Sequence, residues 1–288
     1  MATSPTVRQR ELGKRLRDLR NDHNLTVEDV AEKLLCSATK ISRLETGARR
    51  PSLRDVRDLC DLYQVDEATS AEFMSLARAA RESVWWTQYL DLKLDPYLGL
   101  EQDAAAITSF TTYYIPGLLQ IEDYTREVIK TIAPKMDPNI LRNRIEARML
   151  RQQVLEKDSP PRYRVLLDEA VLHRVVGDAT IMAAQFERVL EAERSNKATI
   201  QVVPFDAGAL AAQESNFVLL EFTEGSNLSP VVFVEGLTGN QYFERSADIA
   251  RYREAIEYLR DSALSPRDSV QRVAEMRNAY SGRLDPSL

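Results

Sequence analysis

Leu25-Thr26-Val27-Glu28-Asp29-Val30-Ala31-Glu32-Lys33-Leu34-Leu35-Cys36-Ser37-Ala38-Thr39-Lys40-Ile41-Ser42-Arg43-Leu44-Glu45-Thr46-Gly47 is the stretch whose reading decides the fold. Val30 and Leu34 are spaced i, i+4 and Ile41 and Leu44 i, i+3, each about one helical turn, so two short amphipathic helices are predicted with facing apolar sides. Ala31 supplies the small side chain that lets them approach. Thr26 with Asp29 reads as a reciprocal cap, Ser37 as the cap of the second helix, and Gly47 as a helix stop. Two helices joined by a short turn in this way form a helix-turn-helix. Its turn position, where glycine is the easy occupant, holds Leu35, and a non-glycine residue at positive φ there costs on the order of 1 kcal/mol or more.

Upstream, Leu12, Leu16 and Leu19 recur at helical spacing from Arg8 onward, with Arg15, Arg17 and Arg20 on other faces; residues 1–7 read as a loose arm. Downstream, Ser52 and Asp55 open a helix with Leu53, Val56, Leu59, Leu62 and Tyr63 as its buried stripe. A further helix over residues 68–81 carries Phe73, Leu76, Ala77 and Ala80 in register. The formal charge of the 288 residues is −6. Lys33, Lys40, Arg43, Arg49, Arg50, Arg54 and Arg57 nevertheless outnumber Glu45, Asp55 and Asp58 in this part of the chain. An acidic body with one basic patch can orient on a polyanion without adhering along its whole surface.

Lys40-Ile41-Ser42-Arg43-Leu44-Glu45-Thr46-Gly47, followed by Arg49-Arg50-Pro51-Ser52, resembles the Xre-type helix-turn-helix of the lambda and 434 phage repressors. The resemblance implies binding to double-stranded DNA through the second helix. Ala38, Thr39 and Arg43 would reach base edges, Arg43 as the bidentate partner of a guanine. Lys40, Arg49 and Arg50 would meet phosphates, with Thr26, Val27, Ser37 and Ser42 as further contacts. Arg20 and Glu45 stand where such repressors carry an ion pair that sets the angle of the reading helix.

The remainder of the chain reads as an α+β domain with a small sheet. Strands are expected over residues 104–115, 163–167, 198–204, 217–222, 231–235 and 241–243, and helices over residues 122–132, 137–156, 178–194, 246–264 and 266–280. We place the domain boundary between residues 82 and 83, giving an N-terminal all-α, lambda-repressor-like bundle and a larger C-terminal regulatory and dimerisation domain. Trp85 and Trp86, just past it, are read as a plug where surfaces meet; an aromatic wall for a ligand is the lesser reading. Arg144, Arg148 and Arg151 share one helix face and are read as a solvated surface.

Little here points to catalysis or to a cofactor. Asp168 and Glu169 are better explained as carboxylates at a helix start than as an acid/base pair, and His173 is no stronger a candidate. Two histidines, His23 and His173, offer no metal set, and Cys36 and Cys60 lack metal spacing. No apolar run approaches a bilayer span and the N-terminus lacks a signal pattern, so a cytoplasmic protein is expected.

Five fragments of the second half carry a further resemblance: Ile115-Pro116-Gly117-Leu118-Leu119-Gln120 with Tyr124; Asp168-Glu169-Ala170-Val171-Leu172-His173-Arg174; Gln201-Val202-Val203-Pro204-Phe205; Phe217-Val218-Leu219-Leu220; and Ala263-Leu264-Ser265-Pro266 with Ser269. Together they resemble the C-terminal domain of an actinobacterial family of Xre-type, antitoxin-like transcriptional regulators. The resemblance implies DNA binding as a homodimer, controlled by a small partner protein encoded nearby; we expect a palindromic operator, since one half-site binds weakly, and a C-terminal domain that senses a partner protein or a ligand. An antitoxin that binds a toxin-like partner, using DNA for autoregulation, is the alternative it leaves open.

Overall fold

The computed structural model describes residues 4–89, 95–210, 215–224, 226, 228–236 and 238–283. The chain divides into two compact units, one of Met1–Asp103 with Thr223–Leu228, the other of Ala104–Phe222 with Ser229–Leu288. The division drawn after residue 82 from sequence falls inside the first unit, which continues to Asp103 through a 3-10 turn (Trp85–Gln88) and a helix.

The first unit consists of α1 (Pro5–Asp22), α2 (Val27–Lys33), α3 (Ala38–Glu45), α4 (Leu53–Leu62), α5 (Glu67–Ala79) and α6 (Asp95–Asp103). Helices α2 and α3 have seven and eight residues, too short to persist alone in water, so caps and packing must hold them. The Thr26 hydroxyl accepts from Asp29 N (3.1 Å) while the Asp29 carboxylate accepts from Thr26 N (2.8 Å). Ser37 and Ser52 accept from Lys40 N and Asp55 N in the same manner. Leu12, Leu16, Val30, Ile41, Leu44, Val56, Leu59 and Phe73 fill one core. Fully burying a single such side chain contributes about 1.5–3 kcal/mol.

One expectation is corrected here and one open point is decided. Residues 5–7 are helical: Ser4 caps α1 through Val7 N (3.3 Å), Pro5 takes the first turn, and Val7 is buried. Residues 1–3 lie outside the described residues. The turn is built as the sequence requires despite its side chain, with Leu35 at φ +49° and 94 % exposed. Leucine therefore pays for the left-handed conformation without packing gain.

The second unit is built on a six-stranded sheet of order β3-β2-β1-β4-β5-β6, comprising β1 (Ala106–Thr111), β2 (Arg162–Asp168), β3 (Thr199–Val203), β4 (Phe217–Glu221), β5 (Val231–Glu235) and β6 (Asn240–Phe243). Strands β1, β2 and β3 are parallel, and β4, β5 and β6 join on antiparallel. Parallel neighbours require crossovers. α7 (Glu122–Ile132) and α8 (Pro138–Arg151) connect β1 to β2; α9 (Ala170–His173) and α10 (Ala179–Arg194) connect β2 to β3. Helix α11 (Ser246–Ser262) packs Ile249, Ile256 and Leu259 on Phe110, Leu166, Phe217 and Val232. Helix α12 (Pro266–Gly282) lies against α10 and β3. The outer edge of β3 is closed: Leu264 N donates to Val202 O (2.8 Å) and Val202 N donates to the Ser269 hydroxyl (2.9 Å). Helix α8 stops at Arg151, its expected last turn being a 3-10 turn (Gln152–Glu156). No helix among the described residues is long and apolar enough to cross a membrane.

Replacing Leu35 by Gly removes a left-handed strain of about 1–2 kcal/mol against a backbone-entropy cost of about 0.5–1 kcal/mol. Thermal unfolding of Leu35→Gly is expected at or above the parent's midpoint. Leu35→Val, stiffer at the same φ, is expected to unfold below it.

Candidate nucleic-acid interface

Helix α3 presents Thr39, Ser42 and Arg43 to solvent while Ile41 and Leu44 fix its other side in the core. Ser37 is exposed as the cap. Ala38 and Val27 are half-buried and pack on the core, so they contribute mainly shape to this edge. Thr26 is exposed, with its hydroxyl already engaged in the capping box. In the segment after α3, Arg49 and Arg50 are exposed, and Ala48 N and Arg49 N fold back onto Arg43 O. Thr39, Ser42 and Arg43 thus share the exposed side of α3, and the chain carrying Arg49 and Arg50 follows directly from its end.

The tilt of that edge is set by a buried charge pair. Arg20 Nε donates to Glu45 Oε1 (2.7 Å), Arg20 Nη2 to Glu45 Oε2 (3.0 Å) and Arg20 Nη1 to Leu25 O (2.8 Å). Glu45 is buried, and Arg17 Nε lies 3.8 Å from its second oxygen. One guanidinium therefore ties together α1, the last turn of α3 and the segment that enters α2. Bidentate geometry fixes angle as well as distance, which a lysine at position 20 would not do.

Lys40 takes another place from that expected of a phosphate ligand. Its ammonium donates to Asp55 Oδ1 at 2.6 Å, both side chains being mostly buried. Burial alone would raise the Asp55 carboxyl; the hydrogen bonds from Lys40 and Ser52 outweigh it and hold Asp55 below the ordinary 3.8. Lys40 thus ties α3 to α4.

Sequence reasoning passed over Gly13. A Cβ there would lie 2.5 Å from Leu44 O and 2.8 Å from Glu45 O, so only glycine lets α1 meet the end of α3. A lone glycine inside a helical pattern was the available signal. Gln9 was also passed over; its amide donates to Gly47 O (2.7 Å), behind the residue at φ +66° that ends α3.

The other candidates belong to other elements. Trp86 is buried and Trp85 half-buried, stacked edge-to-face at 5.4 Å. Asp168 Oδ1 accepts from Ala170 N, at the start of α9. Buried Glu169 accepts from Phe205 N (2.8 Å) and pairs with Arg272, and His173 Nε2 lies 3.8 Å from it. Arg144, Arg148 and Arg151 are half-buried rather than solvated, Arg148 donating to Gln120 Oε1 (2.9 Å). No group of three metal-ligating side chains occurs among the described residues.

A capped helix pair with an exposed polar edge on its second member defines a helix-turn-helix domain, and residues 11–73 match the family model described as a helix-turn-helix domain. Residues 94–275 match the model described as a domain of unknown function (DUF5753), and the chain belongs to that family. No curated protein and no solved structure matches it.

Two outcomes follow from these ties. Gly13→Ala is expected to destabilise the domain by about 1–3 kcal/mol through overpacking, read by urea unfolding. The stability that Asp55 gains from its lowered value is present above pH 3.8 and lost as pH falls below it. Urea midpoints of the parent and Asp55→Asn should therefore converge on acidification, and an undiminished gap at low pH would show that the Lys40 pair is not its source.

Proposed function

We propose that the chain is a sequence-specific transcriptional regulator of the Xre type, acting in the cytoplasm as a homodimer on a palindromic operator. The observation that carries this reading is the outward edge of α3, with Thr39, Ser42 and Arg43 exposed on a helix whose tilt is fixed by Arg20 and Glu45. A helix of this kind, entering the major groove, reads bases through short polar groups and a guanidinium. One such module covers a single half-site and binds weakly, so two on a palindrome give useful affinity. In this reading the second unit pairs the chains and senses a ligand or a small partner protein. The polar groups around Glu169 serve structure there rather than catalysis, since its carboxylate is occupied by Arg272 and Phe205 N.

Operator DNA recovered from cells by genome-wide capture provides the substrate for the test. Arg43→Ala should weaken operator binding about tenfold or more and relax preference at one base pair. Arg50→Ala should weaken binding to all sequences and reduce the salt slope by about 1, whereas Lys40→Met should leave that slope unchanged. Parent-like binding by both arginine variants would remove α3 as the reading helix.

A further inference from the structure

Along β2 the residues facing α11 are Leu166, then Arg164, then Arg162, since alternate strand residues share a face and Leu166 lies in the cluster with Ile256 and Leu259. The apolar face of the sheet therefore turns cationic at one end. Register places Thr108 and Thr199 on either side of Arg164, and the row Arg162, Ala106, Glu221 beyond it. Helix α11 brings Arg253, Glu257 and Arg260 to the same end.

The acidic groups there are already committed. Arg253 Nη2 donates to Glu221 Oε1 (2.6 Å), and Arg260 Nη1 donates to both oxygens of Glu257 (2.9 and 2.6 Å). Among the described residues the Arg162 and Arg164 guanidinium groups have neither ion pair nor hydrogen bond, and the buried Nε of Arg260 has no partner. Burial, followed by the charge of Arg260, pulls the Arg164 guanidinium below its ordinary range, with Glu257 only partly compensating. Four arginines against two glutamates leave two positive charges uncompensated at this end of the sheet, one of them on the half-buried Arg164. An aliphatic residue at position 164 would simply extend the row begun by Leu166.

We propose that this end of the sheet is a binding site for a small oxyanion-bearing metabolite, its phosphate or carboxylate oxygens taken by Arg164, Arg162 and the free Nε–H of Arg260. Planar guanidinium groups carried by a strand and by the helix packed on it suit such oxygens better than they suit a monatomic ion. As the ligand site of the sensing unit, it deepens the proposed function and rests on it for its consequence, though not for its existence.

The full-length chain, in a buffer free of oxyanions, is titrated by calorimetry with inorganic phosphate and with citrate, against sodium chloride of matched ionic strength. Saturable binding of at least one oxyanion and none of chloride is expected, weakened about tenfold or more by Arg164→Gln and unchanged by Arg142→Gln on α8. Without ligand, Arg164→Gln should melt at or above the parent temperature. Binding indistinguishable from chloride, binding that survives Arg164→Gln, or a lower melting temperature for that variant would each overturn the site. Operator affinity with and without the bound oxyanion then tests the sensing separately: a change supports it, and no change overturns the sensing while the site stands.

Discussion

The first unit depends on the two hydrogen bonds between Arg20 and Glu45. A carboxylate as buried as Glu45 is costly to leave unmatched, and its net contribution to stability when matched is small. Its value is geometric. The Arg20 fork fixes where the last turn of α3 lies relative to α1 and Leu25, and Gly13 lets those backbones approach closely enough for the fork to reach. Ile41 and Leu44 hold α3 against the core, yet apolar contact alone would tolerate rotation about its axis. The charge pair does not.

Short helices make this precision possible because their ends are so strictly defined. Ser4, Thr26, Ser37, Ser52 and Asp66 each accept from the backbone N–H three residues on, at the starts of α1 to α5. Each such cap contributes about 1 kcal/mol. At the other ends, Asn24, Leu35, Gly47 and Gln64 turn the chain through positive φ. Of these only Gly47 is free of side-chain strain, so the domain accepts local cost to keep its helices at seven to ten residues between α2 and α4. That length sets the distance between the turn and the brace at Glu45.

Caps and periodicity are local, which is why the helix pair, Ser52 and the ends of α7 could be read from sequence. That a turn falls at Leu35 was equally legible; that it keeps a positive φ despite the leucine side chain was settled only by the structure. What could not be read was set by partners distant in sequence. Lys40 looked like a phosphate ligand until the fold placed Asp55 against it. Ser4 and Val7 looked like a loose arm because the contact of Ser4 with Gly99 O spans ninety-five residues. Arg162 and Arg164 passed as ordinary strand residues, since alternation reveals a shared face but not which helix covers it. The family resemblance supplied the Arg20–Glu45 pairing, which spacing alone does not imply.

The counting of charge changes accordingly. Seven cations between Lys33 and Arg57 suggested a broad basic patch, but Lys40 is neutralised by Asp55 and Arg54 lies 3.7 Å from Asp58. Of the five cations left, Lys33, Arg43, Arg49, Arg50 and Arg57, those on or just after α3 are Arg43, Arg49 and Arg50, beside short polar groups that carry no charge. A narrow patch on a chain of net charge −6 gains little from non-specific attraction to phosphates, which grows with each cation brought to the backbone. In the proposed function, discrimination then comes from the fit of α3 in the groove. Such fit tolerates little freedom in the tilt of the helix, and the buried fork at its last turn removes that freedom.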